Sequence, residues 1–134
     1  MNPYKRFNST IKDFIRKIIS IFPEQKEFQI FLLIYKIVKS ISKKTPQKMF
    51  KEYIIVNNRD DILNQNDDFI KKINADFITK LNSDENIPLG VKILLKDTTG
   101  FYETWETIDE ENKKIIWLHL KVIIVLSDKC DQTL

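Results

Sequence analysis

The stretch TIDEENKKIIWLHLKVIIVL, residues 107–126, decides the fold class. Its second half is dominated by β-branched residues, so read alone it suits a strand paired with the alternating Val91-Lys92-Ile93. Two features outweigh that alternative. The run extends past the roughly six residues of an ordinary strand. Thr107-Ile108-Asp109-Glu110 also has the capping-box pattern, a side-chain oxygen followed three residues on by a carboxylate. The reading is one long helix from Asp109 to about Ser127, apolar round most of its circumference and therefore deep in the fold. It is not a membrane span, because the apolar run Ile115 to Leu126 contains His119 and Lys121 and falls short of the roughly 20 residues needed.

Working outward from this helix, Gly100 is the best helix C-cap in the chain. One helix is expected in the segment Pro88 to Leu95 before it, and one short helix after it carrying Phe101, Tyr102 and Trp105. Residues 57–86 are rich in Asn and Asp. They carry apolar couples at Ile62-Leu63, Phe69-Ile70 and Phe77-Ile78, each preceded by an aspartate (Asp61, Asp68, Asp76). These are expected to be short helices with the aspartates as caps or helix-start charges.

In the first half, Phe7, Ile11, Phe14, Ile15, Ile18 and Phe22 recur at spacings of three and four, which makes an amphipathic helix. Asn8-Ser9-Thr10 reads as capping chemistry ahead of it rather than as a glycosylation sequon. Pro23 ends it and can open the next helix, where Glu24 and Glu27 suit the positive end of the helix dipole. The second helix carries apolar residues on two stripes, Phe28, Phe31, Leu32, Tyr35 and Val38 on one and Ile30, Ile34, Ile37 and Ile41 on the other, so it should be buried on more than one side. Thr45-Pro46 is a cap and first-turn proline opening a third helix through Phe50, Tyr53 and Ile54. The expectation is a single all-α domain over residues 1–134, a bundle of five to six helices with the second and last at its centre.

Composition narrows the function classes. The chain has 134 residues, 43% of them hydrophobic, which is enough for one core. Cys130 is the only cysteine, so no intrachain disulfide forms. Two glycines leave no phosphate-cradling loop, since such loops need several. Met1 to Phe7 lacks the apolar core and cleavage site of a secretion signal, so an intracellular setting is expected.

The candidate chemical constellations are thin. His119 is the one histidine, which excludes a histidine pair on a metal. A Cys130–His119 dyad would sit on one helix with its members about 16 Å apart along the axis. Asn64-x-Asn66-x-Asp68 has the first three ligand positions of a calcium loop, but Phe69 and Ala75 stand where glycine and a bidentate glutamate are needed. The pairs Asp60-Asp61 and Asp67-Asp68 have no basic or glycine-rich company for phosphoryl chemistry. No catalytic residue, metal site, cofactor or small-molecule substrate is expected, and a non-enzymatic role follows.

Charge is the strongest functional signal. Residues 1–56 hold 12 Lys or Arg against 4 Asp or Glu, net +8, whereas 57–114 hold 8 against 13, net −5. Lys36, Lys39 and Lys43 fall on one side of the second helix, joined by Lys44, Lys48 and Lys51, and can meet phosphates or an acidic protein surface. The same lysines also serve as the solvated face of amphipathic helices, and lysine rather than arginine argues against base-specific contact. Phe101, Tyr102 and Trp105 are either core or a half-exposed aromatic anchor for a partner.

Phe14-Ile15, Ile21-Phe22-Pro23-Glu24, Trp105 and Lys114-Ile115-Ile116-Trp117-Leu118 resemble small helical proteins of nucleocytoplasmic large DNA viruses. The resemblance implies a virion or infected host cytoplasm as the setting and brings no catalytic residues with it. The function expected is protein interaction, with a protein partner or by self-association, or a virion-associated role, through Lys36 to Lys51 or the trio around Trp105. Nonspecific nucleic-acid binding by the basic half is the alternative.

Overall fold

A computed structural model describes residues 2–96 and 102–132, and every regular element among them is helical. The elements are α1 (Pro3–Ile21), α2 (Lys26–Ile41), α3 (Thr45–Phe50), a π-helical segment (Lys51–Ile55), α4 (Val56–Leu63), α5 (Asp68–Asn82), α6 (Leu89–Lys96), α7 (Tyr102–Thr107) and α8 (Glu110–Asp131). Because α3, the π segment and α4 follow one another without a break, the described residues form seven rods. The all-helical expectation holds, while the expected five to six helices are exceeded. None of these helices is long and apolar enough to cross a membrane.

Local chemistry explains where the boundaries differ from expectation. Asn2, not the Asn8-Ser9-Thr10 triplet, caps α1: its Oδ1 accepts the Tyr4 N–H at 2.8 Å, and Pro3 takes the first helical position. Asn8 is instead buried inside the helix, where its Nδ2 donates to the Lys43 carbonyl at 2.9 Å and its own carbonyl accepts the Tyr35 hydroxyl at 3.1 Å. Pro23 does not open α2. The Gln25 N–H donates to the Phe22 carbonyl, closing a turn with proline at its second position, and α2 begins at Lys26. Thr45 likewise leaves α3 without a side-chain cap, and Ser42 Oγ accepts the Lys44 N–H at 3.2 Å.

Only one of the three Asp-led couples starts a helix. Asp68 opens α5, but Asp61 lies near the end of α4 and Asp76 lies inside α5. Gln65, with φ of 53°, turns the chain between these helices. The last helix is as expected in type but starts one residue later. Asp109, not Thr107, is its N-cap, and its Oδ1 accepts the Asn112 N–H at 2.9 Å. The proposed C-cap, Gly100, lies outside the described residues.

The core has two parts. The larger joins Phe7, Ile11 and Phe14 of α1 to Ile116, Trp117, Leu120, Ile123 and Ile124 of α8, with Phe28, Phe69 and Trp105 around them. The smaller joins Ile34 and Val38 of α2 to Tyr53, Phe77, Leu81, Ile87 and Val91. The π segment serves both, with Tyr53 in the smaller part and Ile55, two residues on and nearly opposite, in the larger. Polar ties lock the rod of α3 and α4 to the end of α8. Gln47, 1% exposed, donates through Nε2 to Ser127 Oγ at 2.9 Å and to Asp131 Oδ1 at 3.1 Å, and the Arg59 guanidinium grips Asp128 at 2.7 and 3.0 Å.

The expected placing of α2 and α8 at the centre is not confirmed. Neither helix is enclosed: α2 leaves Leu33, Lys36 and Lys39 exposed, and α8 leaves Leu118, Val122 and Val125 exposed. No element among the described residues covers those flanks.

Removing the side-chain bond at the start of α8 tests the helix reading directly. Asp109→Ala is expected to lower stability by about 1 kcal/mol, read as a lower denaturant midpoint with unchanged slope.

Candidate functional site

The basic residues lie on α2, on the turn after it and along the rod that follows. Lys36, Lys39, Lys43, Lys44 and Lys48 are all exposed. Lys39 stands over the Tyr35 ring and Lys44 over the Tyr4 ring, at 5.8 and 5.4 Å from the centroids. Lys51 is drawn away from them. It pairs with Asp131 at 2.9 Å, which raises its pKa above the ordinary lysine value. The sequence reading thus supplies five exposed cations and one structural ion pair.

Trp105 is not a half-exposed anchor. It is fully buried, packs edge-to-face on Trp117 with centroids 5.5 Å apart, and donates from Nε1 to Asp67 at 3.1 Å. A buried Trp whose N–H finds a carboxylate is a core residue, and loss of binding on truncating it would report lost packing rather than a lost interface. Phe101 lies outside the described residues, as does the side chain of Tyr102.

No dyad forms. His119 stacks on Phe14 with centroids 5.5 Å apart, and its Nδ1 bonds the Ile115 carbonyl at 2.8 Å. Cys130 is buried, which pushes its thiol pKa up. Both sit on α8, 11 residues apart in sequence, so the axial distance of about 16 Å holds. The Asn64–Asp68 segment makes a turn, with Asn66 Oδ1 accepting the Asp68 N–H at 3.1 Å and Asn66 Nδ2 donating to Asp61 at 3.2 Å. No group of three or more potential metal ligands occurs among the described residues.

Two features escaped the sequence reading. The first is a ridge on α8. Glu111, Ile115, Leu118, Val122, Val125 and Lys129 follow at alternating spacings of four and three, with Leu118 61%, Val122 43% and Val125 52% exposed. The face is bounded by α1 on one side, where His119 stacks, and by α4 and the turn after it on the other, where Asp128 meets Arg59 and Lys121 donates to Gln65 at 2.8 Å. The heptad spacing was present in the sequence, but a helix apolar on nearly every side does not announce which side is left uncovered.

The second is a cavity of about 190 Å³ between α1, α2, α3 with the π segment, α5 and α8. Ile11, Phe14, Phe28, Ile34, Phe69 and Leu120 are among its walls, and Glu27 is the one acidic side chain there. Glu27 is 2% exposed, and its Oε1 has no hydrogen-bond partner. Burial raises its pKa above the ordinary carboxyl value, against a hydrogen bond from its own backbone N–H that acts the other way. Its place in the first turn of α2 also favours the charged form, so desolvation outweighs both. In the sequence Glu27 was legible only as a dipole charge.

No family model matches the chain, and neither a curated protein nor a solved structure matches it.

Because the folded carboxyl of Glu27 holds its proton more tightly than the unfolded chain does, its ionisation adds no cost below the ordinary value near 4.5 and destabilises as pH rises through its folded pKa. Glu27→Leu is therefore expected to stabilise by about 1–3 kcal/mol at pH 7 and by much less at pH 4. Denaturant curves of both proteins at the two pH values check this.

Proposed function

We propose that this chain is a non-enzymatic protein-interaction domain that acts as a symmetric dimer, two copies pairing antiparallel through α8. The observation that carries the reading is the self-complementarity of the exposed ridge. With a two-fold axis midway between Leu118 and Val122, Leu118 meets Val122 of the second copy, Ile115 meets Val125, and Glu111 meets Lys129. The axis makes each pair twice, and the alternating spacing of four and three is the period of a coiled-coil seam.

Charge supports the antiparallel sense. On the ridge itself the acidic residue, Glu111, lies in the first turn of α8 and the basic one, Lys129, in the last. Antiparallel packing therefore sets opposite charges, and opposite helix dipoles, beside each other. A parallel pair would stack like on like. The one like-charge approach near the axis, Lys121 with its copy, is eased because Lys121 already turns aside to Gln65. A second copy would also enclose α8 and make it the buried centre that its composition calls for. The resemblance to proteins of large DNA viruses supports a virion or infected cytoplasm as the setting.

The ridge alone is smaller than a standard stable interface, so the dimer is expected to depend on concentration. Val122→Glu should leave the helical content unchanged and give a monomer by analytical ultracentrifugation. Glu111→Lys and Lys129→Glu should each weaken the dimer, and the double variant should restore it. A native chain that stays monomeric up to millimolar concentration overturns the reading.

A second reading rests on the five exposed lysines, none of which is ion-paired among the described residues. They suit nonspecific contact with nucleic-acid phosphates, which carries a steep salt dependence. Replacing Lys36, Lys39 and Lys43 by Glu is then expected to abolish retention on DNA at low salt. Equal retention of the native and substituted proteins would remove this reading.

A further inference from the structure

We propose that the cavity between α1, α2, α3 with the π segment, α5 and α8 is a binding site for a small neutral hydrocarbon of about the bulk of an alkylbenzene, held by contact alone and without a hydrogen bond to the protein.

Protein interiors leave few voids larger than a water molecule, yet this one measures about 190 Å³. Atoms that face a void lose the dispersion contacts a packed neighbour would give, and an apolar body that enters returns them. An engineered apolar cavity of about 150 Å³ takes up benzene, and the larger space here leaves room for a substituent on such a ring. The walls do not fold inward to fill it. Three of the lining rings brace one another, Phe28 against Phe31 with centroids 5.9 Å apart and Phe31 against Phe77 at 4.9 Å, so none of them is free to swing into the space.

The chemistry of the wall decides which occupants are refused. Its accessible surface is almost wholly apolar. Of the two lining residues with polar side-chain atoms, Glu27 keeps its Oε1 sealed inside the protein, and Tyr35 has its hydroxyl committed to the Asn8 carbonyl at 3.1 Å. Water finds none of the two to four polar partners that a buried water needs. A hydroxyl or an ammonium group would give up its hydration on entry and gain no hydrogen bond in return. A hydrocarbon has nothing polar to lose. Ile15 and Ile18 on α1, Phe31 on α2 and Ile73 on α5 line the space and keep partial exposure, so a ligand enters by displacing side chains that already meet solvent.

The test titrates the full chain with toluene, benzyl alcohol and benzylamine, followed by calorimetry and by methyl chemical shifts. Toluene is expected to bind saturably and at least about tenfold more tightly than the alcohol or the amine. The shifts should move at Ile11, Ile34 and Leu120 on the cavity wall and stay fixed at Leu118 and Val125 on the exposed ridge, which separates this site from the dimer surface. Leu120→Phe on α8 and Ile34→Phe on α2 each add bulk to a different wall, and whichever of them folds should lose toluene binding. The proposal is overturned if toluene does not saturate, if the alcohol or the amine binds as tightly, if the ridge methyls move in place of those on the wall, or if a folded variant with added bulk binds toluene as the native chain does.

Discussion

The structure depends on one helix having more apolar surface than any single neighbour can cover. Along α8, Ile116, Trp117, Leu120, Ile123, Ile124 and Leu126 all point into protein and are buried. Hydrophobic burial scales with area removed from water, so the other elements are arranged to cover that circumference. α1 supplies Phe7, Ile11 and Phe14, α5 supplies Phe69 next to Trp117, and α7 supplies Trp105 edge-on to the same ring. What they do not reach is the line from Ile115 to Val125. That remainder is the origin of the proposed dimer, and its ends carry opposite charges.

Polar groups then decide where the covering helices stop. Gln47, Arg59 and Lys51 all engage the final turns of α8, through Ser127, Asp128 and Asp131. Exposed ion pairs stabilise little, and Lys51–Asp131 and Arg59–Asp128 are both about two-fifths exposed. The buried Gln47 amide is different in kind, because its donor would be costly to leave unmade. It therefore fixes the register of the rod against α8, and the two ion pairs refine its angle. Glu27 marks the opposite case, a buried acceptor without a donor. Such a group destabilises the fold that holds it.

Much of the helical content was legible because period and length are local properties. Residues 107–126 read correctly as helix for the reason that their cap and extent agree, and α1 is visible in the spacing of Phe7, Ile11 and Phe14. The misreadings were cases where tertiary partners override a local pattern. Asn8 looks like a cap until the Lys43 carbonyl is seen to claim it, and Asp76 looks like a helix start until α5 runs through it. Trp105 reads as either core or anchor, and only the meeting of α7 with α8 decides for core. Of the site, the five exposed lysines were legible from charge alone. The ridge and the cavity were not, because both are defined by what fails to pack against them.

The π segment has one more consequence, for the length of the chain itself. A π turn is a helix with one residue too many, and residues in a regular helix are set about 100° apart. Deleting a single residue from 51–55 would let the rod close into regular helix with everything beyond it near its present rotation, because the extra residue is already taken up within one turn. The same deletion within α3 would instead turn Ile62 away from the larger part of the core and Arg59 away from Asp128, by about 100°. The rod thus tolerates the loss of one residue inside the π segment and not on either side of it, and its two halves are held in a fixed rotational phase.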